Sequence, residues 1–395
     1  MVNRINREDT VFHGRGEVQE RIRRLRQMKR WDLVTLGQRA ELSATTISQI
    51  ERGRIAPSEP QIARLATALG YSTEFLTREL NLLPTGRPWL RAYADASERE
   101  AIARKAQVGT AVEYIRTLRL SPLPHSLSVF DGDPDDEEAV EEHATLVRDA
   151  AAVTHDGAVL NAVRAAERLG CVVLPLETEL GRHVGMSVRS DDLPVMCIAR
   201  DNVPGDRQRW TVAHELGHLS LHWNTPAPED ASQSARLERQ AHRFAGAFLA
   251  PAAPLVDTLS EHGGRVTLRT LLELKAIWGI AIKALVTRLK SLGVIDSDHA
   301  RSLYKQISAR GWNTSEPGHV PVEAAQWLPK SIQRVGGSTD LRESTSIAAR
   351  SIGGNTGDLY RLVDWASAPA APVVDLSTRR RRSPSTRSAM NGPSG

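Results

Sequence analysis

The sequence predicts a multidomain chain in which an all-α helical bundle is followed by an α+β domain. The length of 395 residues exceeds what one ordinary hydrophobic core accommodates. Short helical patterns crowd residues 18–80, whereas residues 138–310 contain helical patterns before and after a small group of β-rich segments. Helices that are segregated from strands favour an α+β domain over an alternating, doubly wound one. A helical linker region, 81–137, is expected between the two parts.

The C-terminal residues carry weaker signals. Residues 311–366 match no fold, although Trp312, Trp327 and Trp365 indicate some packed structure. The tail, 367–395, is rich in Pro, Ser and Arg and is expected to be disordered.

Composition and charge exclude several classes of protein. Hydrophobic residues make up 41% and charged residues 25% of the chain, as in soluble globular proteins, and no apolar run approaches the roughly 18 residues of a membrane span. The N-terminus lacks the apolar core of a signal peptide, which predicts a cytoplasmic protein. The only cysteines, Cys171 and Cys197, lie in apolar β-rich segments and are expected in the core. Arginine-rich stretches at 15–30 and 379–382 predict a local basic surface and an anionic partner.

Local capping signals divide residues 18–80 into short helices. Asp32 and Ser43 are suited to cap the second and third helices, and Pro60 begins a fourth helix that ends at Gly70. Because little sequence separates these helices, they are expected to form a small bundle of four or five.

The third helix, within SATTISQIERG, is predicted to enter the major groove of DNA. Its apolar Ile47 and Ile50 face the bundle, so the opposite face is left for base edges. Ser43 can direct backbone amides at a phosphate, and the arginines that follow the helix can add phosphate contacts. The predicted DNA-contacting residues are Ser43, Ala44, Thr45, Thr46, Gln49, Arg52 and Arg54.

This bundle resembles the Xre (phage-repressor-like) helix-turn-helix family through LRQMKR, LSATTISQIERGRIAPS and LATALG, over residues 18 to about 76. The resemblance implies sequence-specific binding to double-stranded operator DNA, with base-reading positions at Ala44, Thr45 and Gln49. Leu33 stands where the family usually has a phosphate-binding Gln. Use of the bundle for dimerisation, or for docking onto another helix-turn-helix protein, is the alternative.

The HELGH segment in the predicted helix WTVAHELGHLSLHW has the pattern of a metal site. Residues four apart on a helix differ by about 40° in direction, so His214 and His218 project from one face and can hold one ion. Neutral imidazole suits zinc, and a catalytic zinc site uses three protein ligands and leaves the fourth position to water. Glu215 lies beside them and is placed to act as general base when that water attacks a peptide carbonyl.

A carboxylate is expected as the third ligand. Asn224 stands where an H-E-x-x-H-x-x-G-x-x-H protein would supply a third histidine. Three carboxylates follow within reach. Glu229 and Asp230 fall in a predicted polar loop, 224–234, whereas Glu238 belongs to the predicted helix LERQAHRFAGAFLA and is favoured for that reason.

Two further histidines are expected outside the ligand set. His242 follows Glu238 by one turn and is placed to orient it or another ligand. His222 points about 80° away from the ligand direction, which predicts a surface position or a supporting one. For the whole cluster, the alternatives are histidines that merely cover an apolar helix face and a metal site without catalysis.

These residues resemble the ImmA/IrrE metallopeptidase family. RQRWTVAHELGHLSLH and ERQAHRFAGAFLAP match its two motifs, and the resemblance extends over about 138–295. It implies a zincin-like fold, one Zn²⁺ per chain, catalysis by Glu215 and a helix-turn-helix repressor as substrate. His242 departs from the Asn or Asp that is usual in the family. The residues that match the family's metal ligands are His214, His218 and Glu238.

The resulting hypothesis is a DNA-binding transcriptional regulator with a zinc-dependent endopeptidase domain. Its expected partners are an operator DNA and a protein substrate, with no membrane. A homodimer would allow two half-sites to multiply the affinity for DNA. Two alternatives have different consequences: a transcription factor whose metallopeptidase-like domain senses a ligand or metal and cleaves nothing, and an antitoxin-like DNA-binding protein that holds a partner.

Overall fold

The described residues form one three-stranded sheet with helices packed on both of its faces. The computed structural model describes residues 17–79, 98–176, 185–226 and 228–366. The tail that is expected to be disordered and the arginine run at 379–382 lie outside these residues. None of the described helices is long and apolar enough to cross a membrane.

Residues 17–79 form the helical bundle, and its boundaries follow from local capping. The side chain of Asp32 accepts a hydrogen bond from the Thr35 amide, and that of Ser43 accepts one from the Thr46 amide. Gly70, with φ of 79°, ends the fourth helix in the left-handed conformation that glycine adopts without strain. The prediction of four or five short helices is confirmed: α1 (Glu17–Met28), α2 (Leu33–Ala40), α3 (Ala44–Glu51), α4 (Glu59–Leu69) and α5 (Thr73–Thr77).

Helix α6 (Glu98–Thr117) lies against the bundle, within the region predicted as a helical linker. Its buried Glu113 carboxylate accepts hydrogen bonds from Arg21 and Arg24 of α1, with 2.5 Å between Arg21 Nε and Glu113 Oε1. An ion pair with both partners removed from water requires such well-aligned hydrogen bonds. The first helix of the bundle is therefore fixed to α6.

The sheet consists of the three predicted β-rich segments, in the order β1-β3-β2. Strand β3 pairs parallel to β1 and antiparallel to β2. Side chains of β1 and β3 alternate between two hydrophobic cores, which is why these two strands have nearly continuous apolar sequences. Cys171 and Cys197 are both fully buried, as predicted, and burial raises the pKa of each thiol. The strands are β1 (Val172–Leu176), β2 (Gly185–Ser190) and β3 (Leu193–Ala199).

Eight helices of the described chain surround the first of these cores. Two of them begin earlier than the sequence predicts: the helix that contains HELGH begins at Gly205, and the next helix begins at Ala231. The second helix of the metal motif starts at Ala231, because Asp230 caps it by accepting the Gln233 amide. The predicted polar loop is therefore wrong over residues 231–234. The helices are α7 (Glu137–Ala150), α8 (Ala162–Arg168), α9 (Gly205–Leu221), α10 (Ala231–Leu249), α11 (Ala252–Glu261), α12 (Leu268–Trp278), α13 (Ile282–Ser291) and α14 (Ser297–Ala309).

Two buried arginines hold the C-terminal end of α10. Arg148 donates to the carbonyl oxygen of Phe248, and Arg288 Nε donates to that of Ala250 at 3.0 Å. Positive charge at a helix C-terminus complements the macrodipole and satisfies carbonyls that lack an intrahelical partner. Helix α10 is thereby anchored against α7 and α13.

Residues 311–366, which the sequence does not assign to a fold, form a connecting segment and three helices. The connecting segment crosses the start of α9, where Val320 O accepts the Gly205 amide at 3.2 Å and Glu323 pairs with Arg209 at 2.8 Å. Gly205 must lack a side chain, because a Cβ would overlap the carbonyl oxygens of the segment. The three helices are α15 (Trp327–Gly336), α16 (Leu341–Ser351) and α17 (Thr356–Val363).

The turn between α16 and α17 joins this C-terminal region to the bundle. Gly353 O accepts the Ser72 amide at 2.8 Å. The buried Asp358 carboxylate accepts hydrogen bonds from Lys29 Nζ at 2.7 Å and Tyr71 Oη at 2.8 Å. Apolar side chains of α15 to α17 enter the second core together with those of the bundle and of the outer sheet face. The C-terminal helices therefore connect the bundle to the sheet.

Replacement of Asp358 tests this connection. We expect Asp358→Ala to lower the free energy of unfolding by roughly 3 kcal/mol, because Lys29 and Tyr71 lose a buried acceptor. The matched control is Asp298→Ala, which removes an exposed ion pair with Arg301 and should leave stability unchanged. Urea denaturation of both variants measures the effect. Equal stability of the two variants would contradict the connection.

Candidate metal centre

Two histidines project from one face of α9 into the interior. His214 and His218 are 7% and 3% exposed, and their Nε2 atoms are 3.1 Å apart. Their position one turn apart on a continuous helix brings the two nitrogens together, as the sequence spacing predicts.

Helix α10 adds a carboxylate to these nitrogens. Glu238 Oε2 lies 3.4 Å from His214 Nε2, and Glu238 Oε1 lies 3.5 Å from His218 Nε2. Zinc–nitrogen bonds of about 2.0–2.1 Å place the ligand atoms of a tetrahedral site about 3.3 Å apart. The three residues therefore fit a tetrahedral cation with a fourth position left over. Within the described part of the chain, this is the one group of three or more His, Cys, Asp or Glu side chains with such spacing.

The ionisation of Glu238 suits a metal ligand. Burial by itself would raise its pKa, but the adjacent His214 and His218 imidazoles outweigh burial and hold the pKa well below its usual range. The carboxylate is thus kept ionised. The other two carboxylates considered from the sequence do not approach the histidines: Asp230 caps α10, and Glu229 lies exposed before it.

Glu215 projects from α9 towards β2, next to the candidate ligands. It is 5% exposed, and Ser187 Oγ donates to its Oε2 at 2.5 Å. Burial raises the pKa of Glu215 to about 7, although the neighbouring His214 and the hydrogen bond from Ser187 act in the opposite direction. A Cβ on Gly185 would overlap Thr211 and come within 3.3 Å of Glu215 Oε1, so the absence of a side chain lets the strand approach α9.

His222 and Gln240 lie behind His218. His222 is completely buried, with its Nδ1 3.0 Å from His218 Nδ1 and its Nε2 3.0 Å from Gln240 Oε1. Of the two positions predicted for His222, the structure gives the supporting one. Burial first, and then the nearby His218, lower the pKa of His222 to about 3, so the ring is neutral.

His242 contacts one of the ligands. Its ring centroid is 4.4 Å from that of His214, and its Nδ1 accepts a hydrogen bond from Trp210 Nε1 at 3.2 Å. The structure thus places His242 against the His214 imidazole.

Sequence reasoning missed three polar residues near the centre: Ser187, Gln240 and Asp135. The alternation of β2 could have indicated that Ser187 faces α9, because Met186 and Val188 on the opposite face are apolar. No sequence signal relates Asp135 to Gln240.

The helix that is predicted to contact DNA has an accessible outer face. Ile47, Ile50 and Glu51 are buried against the bundle, and Arg26 of α1 holds the Glu51 carboxylate at 2.6 and 2.7 Å. The residues predicted to contact DNA are all exposed or partly exposed: Ser43, Ala44, Thr45, Thr46, Gln49, Arg52 and Arg54. Leu33, half-buried, begins α2 without the polar side chain usual at that position.

An accessible helix-turn-helix motif, together with two histidines and a glutamate on paired helices, is typical of a protein that combines a helix-turn-helix domain with a metallopeptidase-type domain. Residues 166–290 match the family described as IrrE N-terminal-like domain, of the M78 peptidases, and residues 20–80 match a helix-turn-helix domain family. The two resemblances expected from the sequence are confirmed for these segments, as is the multidomain fold of a helical bundle followed by an α+β domain. M78 peptidases are typically metal-dependent. No curated protein and no solved structure matches the chain significantly.

The raised pKa of Glu215 predicts a pH effect on the metal-free protein. The folded state holds the Glu215 proton up to about pH 7, whereas an unburied glutamate has a pKa of 4.5. Stability from this group is therefore complete below pH 4.5 and is lost as pH rises through 7, by an amount on the order of 3 kcal/mol.

We expect Glu215→Gln to lack this pH dependence. Urea denaturation of the chelator-treated wild type and variant, at mildly acidic and mildly alkaline pH, measures the difference. A wild-type advantage that shrinks with rising pH supports the raised pKa, whereas a difference that stays constant with pH contradicts it.

Proposed function

We propose that this protein is a transcriptional regulator that binds operator DNA through α3 and hydrolyses a peptide bond in a protein substrate at a zinc centre. The observation that carries the proposal is the convergence of His214, His218 and Glu238 at tetrahedral spacing beside the buried Glu215. The matches to a peptidase family and to a helix-turn-helix family support the combination of the two activities.

In this proposal His214, His218 and Glu238 hold Zn²⁺. Zinc in such a site acts as a Lewis acid and lowers the pKa of a bound water towards about 7. Glu215 takes the proton from the attacking water and passes it to the leaving amine. The Ser187 hydroxyl fixes Oε2 of Glu215, which leaves Oε1 for proton exchange.

The proposed substrate is a helix-turn-helix repressor in the cytoplasm. The resemblance of residues 138–295 to the repressor-cleaving ImmA/IrrE peptidases is the ground for this choice. Such a protein would control transcription in two ways, by binding an operator and by removing a repressor.

A second candidate function is that of a metal or ligand sensor that cleaves nothing. Its specific support is the packing of the bundle, the sheet and the C-terminal helices into one core, which would transmit a change at the centre to α3. The low exposure of Glu215 and of both histidines also suits a sensor. The variant Glu215→Gln distinguishes the two candidate functions. Cleavage must be lost if the protein is a peptidase, whereas regulation of DNA binding survives if it is a sensor.

Elemental analysis of purified protein tests the metal ligands. We expect about one zinc per wild-type chain, and a zinc content near zero in His214→Ala and Glu238→Ala, because two remaining ligands do not retain the ion. Glu215→Gln should keep its zinc and lose cleavage, because it removes a base and not a ligand.

Two exposed side chains provide controls for the metal experiment. His299→Ala and Glu229→Ala make the same chemical changes at the surface and should leave the zinc content unchanged. A wild-type protein that takes up no zinc after reconstitution would refute the proposed centre. Zinc that persists in Glu238→Ala would instead assign the third ligand elsewhere.

Binding to an operator selected in vitro tests α3. We expect Gln49→Ala to weaken binding by about tenfold or more and to relax sequence preference, because a bidentate base contact contributes about 1–3 kcal/mol of discrimination. Arg52→Ala and Arg54→Ala should weaken binding to all sequences and reduce its salt dependence. Fluorescence anisotropy measures both effects, with exposed Gln306→Ala on α14 as the control. Gln49→Ala with unchanged affinity and selectivity would contradict the assigned face.

A further inference from the structure

A chain of hydrogen bonds runs from the protein surface to the back of His218. Gln240 Nε2 donates to Asp135 Oδ1, in the loop that precedes α7. Arg236 forms an ion pair with Asp135 Oδ2 at 2.5 Å, and these two donors lower the pKa of Asp135. An ionised carboxylate only accepts hydrogen bonds, so the amide of Gln240 must present its nitrogen to Asp135.

The orientation of this amide determines the direction of every following hydrogen bond. Gln240 Oε1 faces His222 Nε2 at 3.0 Å, so the Nε2 atom of His222 carries the proton. The Nδ1 atom of a neutral His222 then accepts, and the donor is His218 Nδ1 at 3.0 Å. His218 consequently keeps a lone pair on Nε2, the atom that lies 3.1 Å from His214 Nε2.

We propose that Asp135, Gln240 and His222 are positioning residues that hold the His218 imidazole in the tautomer and orientation needed to bind the metal. The inference rests on the proposed metal centre and adds residues to it. A ligand whose second ring nitrogen is hydrogen-bonded binds more tightly, because its orientation and tautomer are settled before the ion arrives.

The two histidine ligands differ in this respect. His214 Nδ1 is buried and has no hydrogen-bond partner among the described residues. His218, by contrast, is held through three successive side chains. Because Gln240 lies on the same helix as Glu238, α10 supplies one ligand directly and orients another.

Zinc affinity measured by competition with a chromophoric chelator tests the chain. We expect Gln240→Leu and His222→Phe to bind zinc roughly 10- to 100-fold more weakly than wild type, as is typical when a residue behind a ligand is lost. Gln233→Leu makes the same change at an exposed position of α10 and is the matched control. Circular dichroism of the metal-free variants establishes that they are folded.

Two replacements of Asp135 test the direction of the hydrogen bonds. Asp135→Asn retains an oxygen that accepts from Gln240 and should bind zinc like wild type. Asp135→Leu should weaken binding by at most about fivefold, because Asp135 is half-exposed and its contacts contribute modestly. The visible spectrum of the cobalt-substituted protein should change in His222→Phe and Gln240→Leu, since both alter the geometry of His218.

The outcomes separate this inference from the proposed function. Folded Gln240→Leu and His222→Phe with wild-type zinc affinity and an unchanged cobalt spectrum would overturn the chain while leaving the metal centre intact. A wild-type protein without zinc or cobalt affinity would overturn the metal centre itself. A loss of affinity that Gln233→Leu shares equally would also overturn the chain, because the effect would then belong to α10 as a whole.

Discussion

The close packing of α9 against α10 is the constraint on which the metal centre depends. Gly217 makes it possible, because a Cβ at this position would lie 3.1 Å from the carbonyl oxygen and 3.2 Å from the Cα of Ala241. With the helices this close, Glu238 reaches both imidazoles directly. The glycine of the HELGH segment therefore eases the close approach of the two helices beside the candidate ligands, and the two arginines at the end of α10 hold that helix in position.

The sheet also contacts the helix-turn-helix bundle. On β2, Ser187 faces α9 and bonds to Glu215, whereas Met186 and Val188 enter the core that is shared with the bundle and the C-terminal helices. A three-stranded sheet that is buried on both faces leaves no solvent layer between the two parts. The helical bundle and the candidate metal centre are therefore packed against opposite faces of the same sheet.

Local signals predicted most of the helices and the convergence of His214, His218 and Glu238, because each depends on residues close in sequence. Asp32, Ser43 and Gly70 cap helices through hydrogen bonds and backbone conformations that span only a few residues. The missed features depend on distant partners: Asp135 precedes Gln240 by 105 positions, and Asp358 contacts Tyr71 across 287. No periodicity encodes such contacts. The C-terminal helices were missed for the same reason, because their apolar faces pack against the sheet and the bundle, which are distant in sequence.

Glu215 and Glu238 carry the same carboxyl group, but their surroundings shift its pKa in opposite directions. Burial disfavours the charged form of both, and it prevails for Glu215, whose pKa rises to about 7. Glu238 lies beside the imidazoles of His214 and His218, and their interactions with its carboxylate outweigh burial and lower its pKa. Glu238 is therefore ionised, as the proposed metal ligand must be, while Glu215 has the proton affinity near neutral pH that the proposed general base requires. The sequence indicates both glutamates as site residues, but the difference between their pKa values arises from β2 on one side of α9 and from α10 on the other.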